Sequence, residues 1–135
     1  MSTANVVYQG DLRVKSTHIA SGGFIVTDAP VDNHGKGEAF SPTDLVAAAL
    51  GNCMLTVMGI KAHHSGWNID NTLVEITKVM GTEPRRITQI DAFITFPSGN
   101  FDDKTKAVLE HTALTCPVSK SLHPDLIQNI TFTWL

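Results

Sequence analysis

The feature that most constrains this chain is the apolar stretch Leu45–Ile60, which contains no charged residue. A helix begins naturally just before it. Ser41 suits the N-cap, Pro42 suits the first helical position because its missing N–H would have no partner there, and Asp44 occupies the acidic position of a capping box. The sequence therefore predicts a central helix from Ser41 to about Gly66, most of whose surface is removed from water on folding.

The same helix is a poor match to a membrane span, which needs about 20 consecutive apolar residues. Gly51, Asn52 and Gly59 interrupt the run. At 135 residues the chain is expected to form one domain over residues 1–135 that buries about two-thirds of its unfolded surface without a metal or disulfide. We therefore expect a single folded unit built around the helix.

Charge and the N-terminal sequence limit the partners and the compartment. The net charge is −3, the pI is about 6.0 and no basic run is present, so we expect neither nucleic acid nor a membrane surface as a partner. The N-terminal residues lack the basic start and apolar run of a signal peptide. We expect a cytoplasmic protein whose cysteines are kept reduced.

Hydrophobic periodicity and turn residues give an α+β order of elements, βββ-α-ββ-αα-β. The predicted strands are Ala4–Gln9, Leu12–Ile19, Phe24–Thr27, Thr72–Met80, Arg86–Phe96 and Ile130–Trp134, paired in antiparallel sheets. A second helix begins at Asp102 and a short third one runs from Cys116 to Leu122. The second helix should pack through an apolar stripe formed by Ala107, Val108 and Leu114.

In a chain of this size, the apolar surface of the central helix needs more than one neighbour to cover it. One face can lie under a sheet of the same chain. The small residues Ala47, Ala48, Ala49 and Gly51 would allow a helix of a second copy to approach closely. We expect a homodimer, and the alternative is a monomer whose two sheets wrap the helix.

The two cysteines, Cys53 and Cys116, are 116 − 53 = 63 positions apart, which matches neither a redox CxxC pair nor a zinc knuckle. Cys53, in the middle of the helix, could be a plain packing residue. Cys116 precedes a proline at a helix start, where N–H groups and the helix dipole predict a lowered thiol pKa. His111 and His123 flank Cys116, but the spacings match no standard metal site, and we expect no metal.

Two blocks of sequence carry a family resemblance: SPTDLVAAALGNC in the central helix and, much later, CPVSKSL. Together with the order of elements along the whole chain they resemble the OsmC/Ohr family. The resemblance implies an OsmC-like fold, an intertwined cytoplasmic homodimer with its active site at the subunit interface, and thiol peroxidase activity on organic hydroperoxides in an oxidative or osmotic stress response. It implies that Cys53 is the peroxidatic cysteine and Cys116 the resolving one.

If those roles hold, the Cys53 thiolate attacks the peroxide, and the sulfenic acid condenses with Cys116 to a disulfide that an external dithiol reduces. No metal or organic cofactor is needed. An apolar pocket lined by residues near Leu50 and Met54 and by the dimer partner would favour organic hydroperoxides over hydrogen peroxide. Two other functions fit the same sequence: a protein of this fold that binds a small apolar ligand without peroxidase activity, and a structural dimer with inert cysteines.

The chain departs from the peroxidase pattern at one position. Those family members carry a Glu directly after the motif proline, which helps to hold an Arg over the thiolate, and here that position is Thr43. Asp44 cannot replace it because at about 100° per residue it points to the other side of the helix from Cys53, and helix capping explains it. Glu38, in the loop before the helix, is the remaining acidic candidate.

Arg13, in the second strand, is the candidate for the catalytic arginine that the resemblance implies. Arg85 and Arg86 follow the predicted turn and are interpreted as surface charge. His63 and His64 end the central helix, where positive charge is favoured by the helix dipole, so a structural role explains them better than a catalytic one.

Overall fold

The computed structural model describes residues 1–135 and has an α+β architecture with the predicted order of elements. The strands are β1 (Ala4–Gly10), β2 (Arg13–His18), β3 (Phe24–Asp28), β4 (Leu73–Gly81), β5 (Arg86–Phe96) and β6 (Ile127–Trp134). The helices are α1 (Pro42–Ser65), α2 (Asp103–Leu114) and α3 (Pro117–Ser121), and a single 3-10 turn covers Val31–Asn33. The fold class and the order of elements are confirmed, and β6 begins three residues before its predicted start at Ile130.

The chain divides into two compact units, Met1–Val46 and Ala47–Leu135, which are described separately. The first unit is an antiparallel sheet in the order β1-β2-β3, followed by a loop and the first turn of α1. It contains no buried hydrophobic residue: its buried side chains are the polar Thr27, Asp28 and Ser41. A three-stranded sheet needs an apolar face packed against something to be stable, so this unit by itself lacks a hydrophobic core.

Helix α1 begins and ends as its sequence predicts. The Ser41 N–H donates to the Asp44 carboxylate at 2.9 Å, and the Asp44 N–H donates to the Ser41 hydroxyl at 3.1 Å, which is a reciprocal capping box. At the other end Gly66 has φ +74°, and the Trp67 N–H reaches the Ala62 carbonyl at 2.8 Å. This left-handed glycine closes the helix in a Schellman motif.

The second unit contains a three-stranded sheet in the order β4-β5-β6. Strands β4 and β5 form an antiparallel hairpin, but β6 runs parallel to β5, with Gln89 opposite Ile127. The prediction of purely antiparallel sheets is therefore wrong for this strand. The reason is the connection: α2 and α3 form a crossover between β5 and β6, and a helical crossover returns the chain in its original direction.

The hydrophobic core of the second unit is formed by α1, the sheet and α2. Leu50, Met54 and Met58 lie one helical turn apart on α1 and are fully buried. Leu50 and Met54 themselves belong to this core, and an apolar substrate pocket lined by residues near them and by a partner subunit stays a prediction. Across the core, β5 contributes Ile90, Ala92, Ile94 and Phe96, each fully buried, and Phe96 stacks on Trp134 of β6 with ring centroids 3.6 Å apart.

Helix α2 presents a different face from the one its apolar residues predict. Its buried residues are Thr105, Leu109 and Ala113, spaced four apart, while Leu114 is 46% exposed. The predicted stripe of Ala107, Val108 and Leu114 is wrong. Asp102 caps the helix by accepting from the Thr105 N–H at 2.8 Å, and Cys116, which follows the helix, is buried in the core.

The small residues of α1 are divided between two environments. Ala47 and Gly51 are buried, and a side chain at Gly51 would meet Ile76 at 3.2 Å and Val74 at 3.4 Å. Gly51 thus lets β4 of the same unit approach the helix. Ala48 and Ala49 are partly buried.

By length and composition α1 could cross a membrane, since an 18-residue window has a mean hydropathy of 1.6. Core helices of water-soluble proteins meet the same criterion, and a third of this window is buried in the fold. Hydropathy alone therefore does not assign the helix to a membrane.

Candidate functional site

The structure brings the two cysteines together although 63 positions separate them. Cys53 lies midway along α1 and is partly buried, while Cys116 is fully buried at the N-terminus of α3. Both are free thiols, and Cys53 lies near enough to Cys116 to help raise the pKa of the Cys116 thiol. A partly accessible sulfur near a buried one is the arrangement that a nucleophilic and a resolving thiol require.

The pKa of the Cys116 thiol is raised, and burial is the main cause. The backbone N–H of Ser119 donates to Sγ at 3.4 Å and acts in the opposite direction, while the hydrogen bond with Cys53 and its charge raise the pKa further. The expectation of a lowered pKa for Cys116 is therefore wrong. The helix-start N–H is present as expected, but desolvation of a buried thiolate outweighs it.

Two hydrogen bonds between Ser119 and Gln128, called the clamp below, hold the segment that carries Cys116 against β6. The Ser119 hydroxyl donates to the Gln128 amide oxygen at 2.6 Å, and the Gln128 amide nitrogen donates to the Ser119 carbonyl at 3.0 Å. Because β6 begins earlier than predicted, Gln128 was outside the predicted strand. The sequence alternation of Ile130, Phe132 and Trp134, which Gln128 continues on the same face of the strand, is the signal that could have placed it.

A second cluster lies within the first unit and contains both remaining candidates, Arg13 and Glu38. The Arg13 guanidinium forms a two-point ion pair with Asp28, with Nε to Oδ1 at 2.7 Å and Nη2 to Oδ2 at 3.0 Å. Nη2 also donates to Glu38 at 3.0 Å, and the Glu38 N–H donates to Asp28 at 3.1 Å. The structure thus fixes Arg13 between two carboxylates of its own unit.

The two members of this ion pair stabilise each other's charged forms. The hydrogen bonds that Arg13 donates lower the pKa of Asp28 in spite of its burial, and the same bonds to Asp28 and Glu38 raise the pKa of Arg13. Sequence reasoning missed Asp28. The signal was the register of the β2–β3 hairpin, since Arg13 and Asp28 are directly opposite each other across it and opposite charges favour such pairs.

The position where the peroxidases carry Glu is occupied by Thr43, whose hydroxyl lies 3.2 Å from that of Ser41. Asp44 caps the helix, as predicted. The remaining polar candidates form no metal cluster: no group of three or more His, Cys, Asp or Glu side chains is placed to hold an ion. His123 instead contacts Asp125 in a surface loop.

Comparison with known proteins places the chain in a family. The sequence model for OsmC-like proteins matches residues 35–129, a span that contains α1, both cysteines and most of the second unit. This chain belongs to the OsmC-like protein family. No curated protein matches it significantly, so the solved structures provide the remaining comparisons.

One solved structure is similar in sequence as well as in fold. It is a protein from Psychrobacter arcticus 273-4 named for osmotic stress induction and a detoxification response, with 53% identity and a TM-score of 0.93. The match covers 98% of this chain and 96% of that protein.

More distant structures share the fold alone. An OsmC-like protein from Mycoplasma pneumoniae has 19% identity and a TM-score of 0.81, covering 98% of this chain and 95% of its own. An organic hydroperoxide resistance protein from Elizabethkingia anophelis has 14% identity and a TM-score of 0.75, covering 100% and 98%. The OsmC-like fold of this chain is therefore established over its full length.

Proposed function

We propose that this OsmC-like chain is a cytoplasmic thiol peroxidase that reduces organic hydroperoxides through Cys53 and Cys116. The observation that carries the proposal is that the fold brings these thiols near each other, although the sequence separates them by 63 positions. The names of the structural relatives, which refer to osmotic stress and organic hydroperoxide resistance, agree with a role in a stress response.

In the proposed cycle the Cys53 thiolate attacks the terminal oxygen of the hydroperoxide. An S–O bond forms, the O–O bond breaks, and the alcohol leaves after taking up a proton, so that Cys53 becomes a sulfenic acid. Cys116 then gives up its proton and its sulfur attacks the Cys53 sulfur; an S–S bond forms, the S–O bond breaks, and the hydroxyl of the sulfenic acid leaves with a proton as water. An external dithiol reduces the disulfide and restores both thiols.

The different environments of the two sulfurs support this division of roles. Cys116 is fully buried and its pKa is raised, so it stays protonated and shielded while Cys53, the more accessible sulfur, meets the substrate. Thiolate and not thiol is the nucleophile. A raised pKa at Cys116 therefore prevents it from competing with Cys53 for the peroxide.

We also propose that the active molecule is a homodimer. The Met1–Val46 unit has no hydrophobic core, and large apolar side chains of its sheet are exposed: Val6 by 65%, Tyr8 by 64% and Phe24 by 61%. On α1, Ile60 is 54% exposed. Exposed apolar surface on this scale is typical of an interface, and a second copy of the chain would cover it.

Arg13 is the proposed cationic residue of the catalytic site. Its guanidinium is held in place by Asp28 and Glu38, so in this chain these carboxylates provide the acidic support that the peroxidases obtain from Glu after the motif proline. This explains how the chain can carry Thr43 there. Glu38 is 65% exposed and contributes one hydrogen bond, whereas Asp28 contributes the two-point contact.

The test is intact-mass analysis of the reduced protein after one equivalent of cumene hydroperoxide, followed by alkylation of the remaining thiols. We expect loss of both thiols as an intrachain disulfide, and a trapped sulfenic acid on Cys53 in the Cys116→Ser variant. The Cys53→Ser variant is the matched control and should leave Cys116 fully alkylated.

If both thiols of the wild-type protein still alkylate after minutes in excess hydroperoxide, the peroxidase proposal is wrong. Ligand binding by the same fold, or a structural dimer with inert cysteines, would then remain. Size-exclusion chromatography with light scattering tests the dimer separately, and a monomer at micromolar concentration would contradict that part.

A further inference from the structure

A cavity of about 550 Å³ lies at one end of the second sheet. One wall is the turn before β5 and its first residues, and the other is the loop that enters β6. The lining includes Pro84, Arg86, Ile87, His123, Leu126 and Ile127. Neither cysteine and no residue of α1 lines it, and its exposed lining is mainly apolar. Its size is that of a small-molecule site.

Arg86 provides a fixed positive charge at this cavity. Its Nη1 group donates to the Pro84 carbonyl at 2.9 Å and to the Thr82 carbonyl at 3.2 Å. These two bonds engage Nη1 and hold the guanidinium plane against the turn. No acidic side chain forms an ion pair with Arg86, and Asp125, the carboxylate at the rim, is 93% exposed and lies 3.9 Å from His123.

The geometry leaves the Nε and Nη2 edge of Arg86 without a protein partner. This edge presents two parallel N–H donors, which match the two oxygens of a carboxylate. Arg13 of the same chain uses the corresponding edge to bind Asp28, through Nε and Nη2. In Arg86, which lines an apolar cavity, the corresponding edge has no carboxylate partner.

We propose that this cavity binds a small monocarboxylate with an apolar tail. The carboxylate pairs with the free edge of Arg86, and the tail lies against Ile87, Leu126 and Ile127. The two parallel N–H donors of Arg86 match one carboxylate, and the apolar walls favour a hydrocarbon tail over a sugar or a nucleotide. The site is independent of the proposed peroxidase chemistry because it contains none of its residues.

The test is calorimetric titration of the reduced protein with decanoate. We expect saturable binding that the Arg86→Gln variant weakens at least about tenfold, since a hydrogen-bonded charge is lost. The Arg85→Gln variant is the matched control, because it removes the same charge one residue away and outside the cavity lining. Decanol keeps the apolar tail without the carboxylate, and acetate keeps the carboxylate without the tail. Both should bind more weakly than decanoate.

A second variant tests the apolar wall. Ile127 is 59% exposed, so Ile127→Ser should fold normally, and we expect it to weaken decanoate binding severalfold. Unchanged affinity in Arg86→Gln, or equal losses in Arg85→Gln and Arg86→Gln, would overturn the proposal. Loss of decanoate binding in the Cys53→Ser variant would also overturn it, because it would place the ligand at the thiol pair.

Discussion

Replacing one buried leucine of α2 tests how this helix is oriented, which decides where Cys116 lies. Leu109 is fully buried, and Leu114, on the same helix, is 46% exposed. The sequence pattern favours Leu114 as the core residue, and the structure has Leu109 there. The two leucine-to-alanine variants make the same chemical change in the same helix, so their difference isolates burial.

The expected magnitudes differ clearly. Leu109→Ala loses the transfer free energy of a fully buried leucine side chain and leaves a cavity, which together cost about 3 kcal/mol. Leu114→Ala loses about half of the transfer term and leaves no cavity, about 1 kcal/mol. At about 2.1 cal/mol/K per residue, the unfolding entropy of a chain this long converts these losses into Tm decreases of about 10 °C and about 3 °C.

The assay is thermal unfolding followed by circular dichroism, with urea unfolding as a second measurement and all variants at one protein concentration, since association would change the apparent stability. Equal decreases for the two variants, or a larger decrease for Leu114→Ala, would refute the reasoning. The helix would then present the face that its apolar stripe predicts.

Three further results follow from the structure. Gln128→Ala removes both hydrogen bonds of the clamp on α3, so it should lower the free energy of unfolding by about 1–2 kcal/mol and speed alkylation of Cys116; unchanged alkylation would contradict the clamp. Gly59→Ala should raise the free energy of unfolding, measured in urea, by about 1 kcal/mol, because a helix interior favours alanine and no atom lies within 4 Å of the added Cβ. Gly51→Ala should gain less, because its added Cβ would lie 3.2 Å from Ile76. The folded state holds the Cys116 proton more tightly than the unfolded chain does. The contribution of this thiol to the free energy of unfolding should therefore be fully present below a pH of about 8.5 and should decrease above it. A pH series of Tm values that decreases equally steeply in the Cys116→Ser variant would contradict this.

Local sequence signals located most elements of this fold. The capping box of Ser41 and Asp44 and the left-handed Gly66 set the limits of α1, because caps act through residues next to each other in sequence. Strand β5 begins and ends where its pattern predicts for the same reason. The family resemblance paired two distant blocks of sequence and named Cys53 and Cys116 as partners.

Other features depend on which neighbours the fold supplies, and local patterns carry no information about them. The direction of β6 follows from the helical crossover, and the inner face of α2 follows from where the core lies. Arg13 acquires Asp28 only when β2 and β3 pair in one register. For Cys116 the sequence determined the helix-start N–H, but its pKa is raised because the tertiary structure removes water from the sulfur, and desolvation outweighs one hydrogen bond.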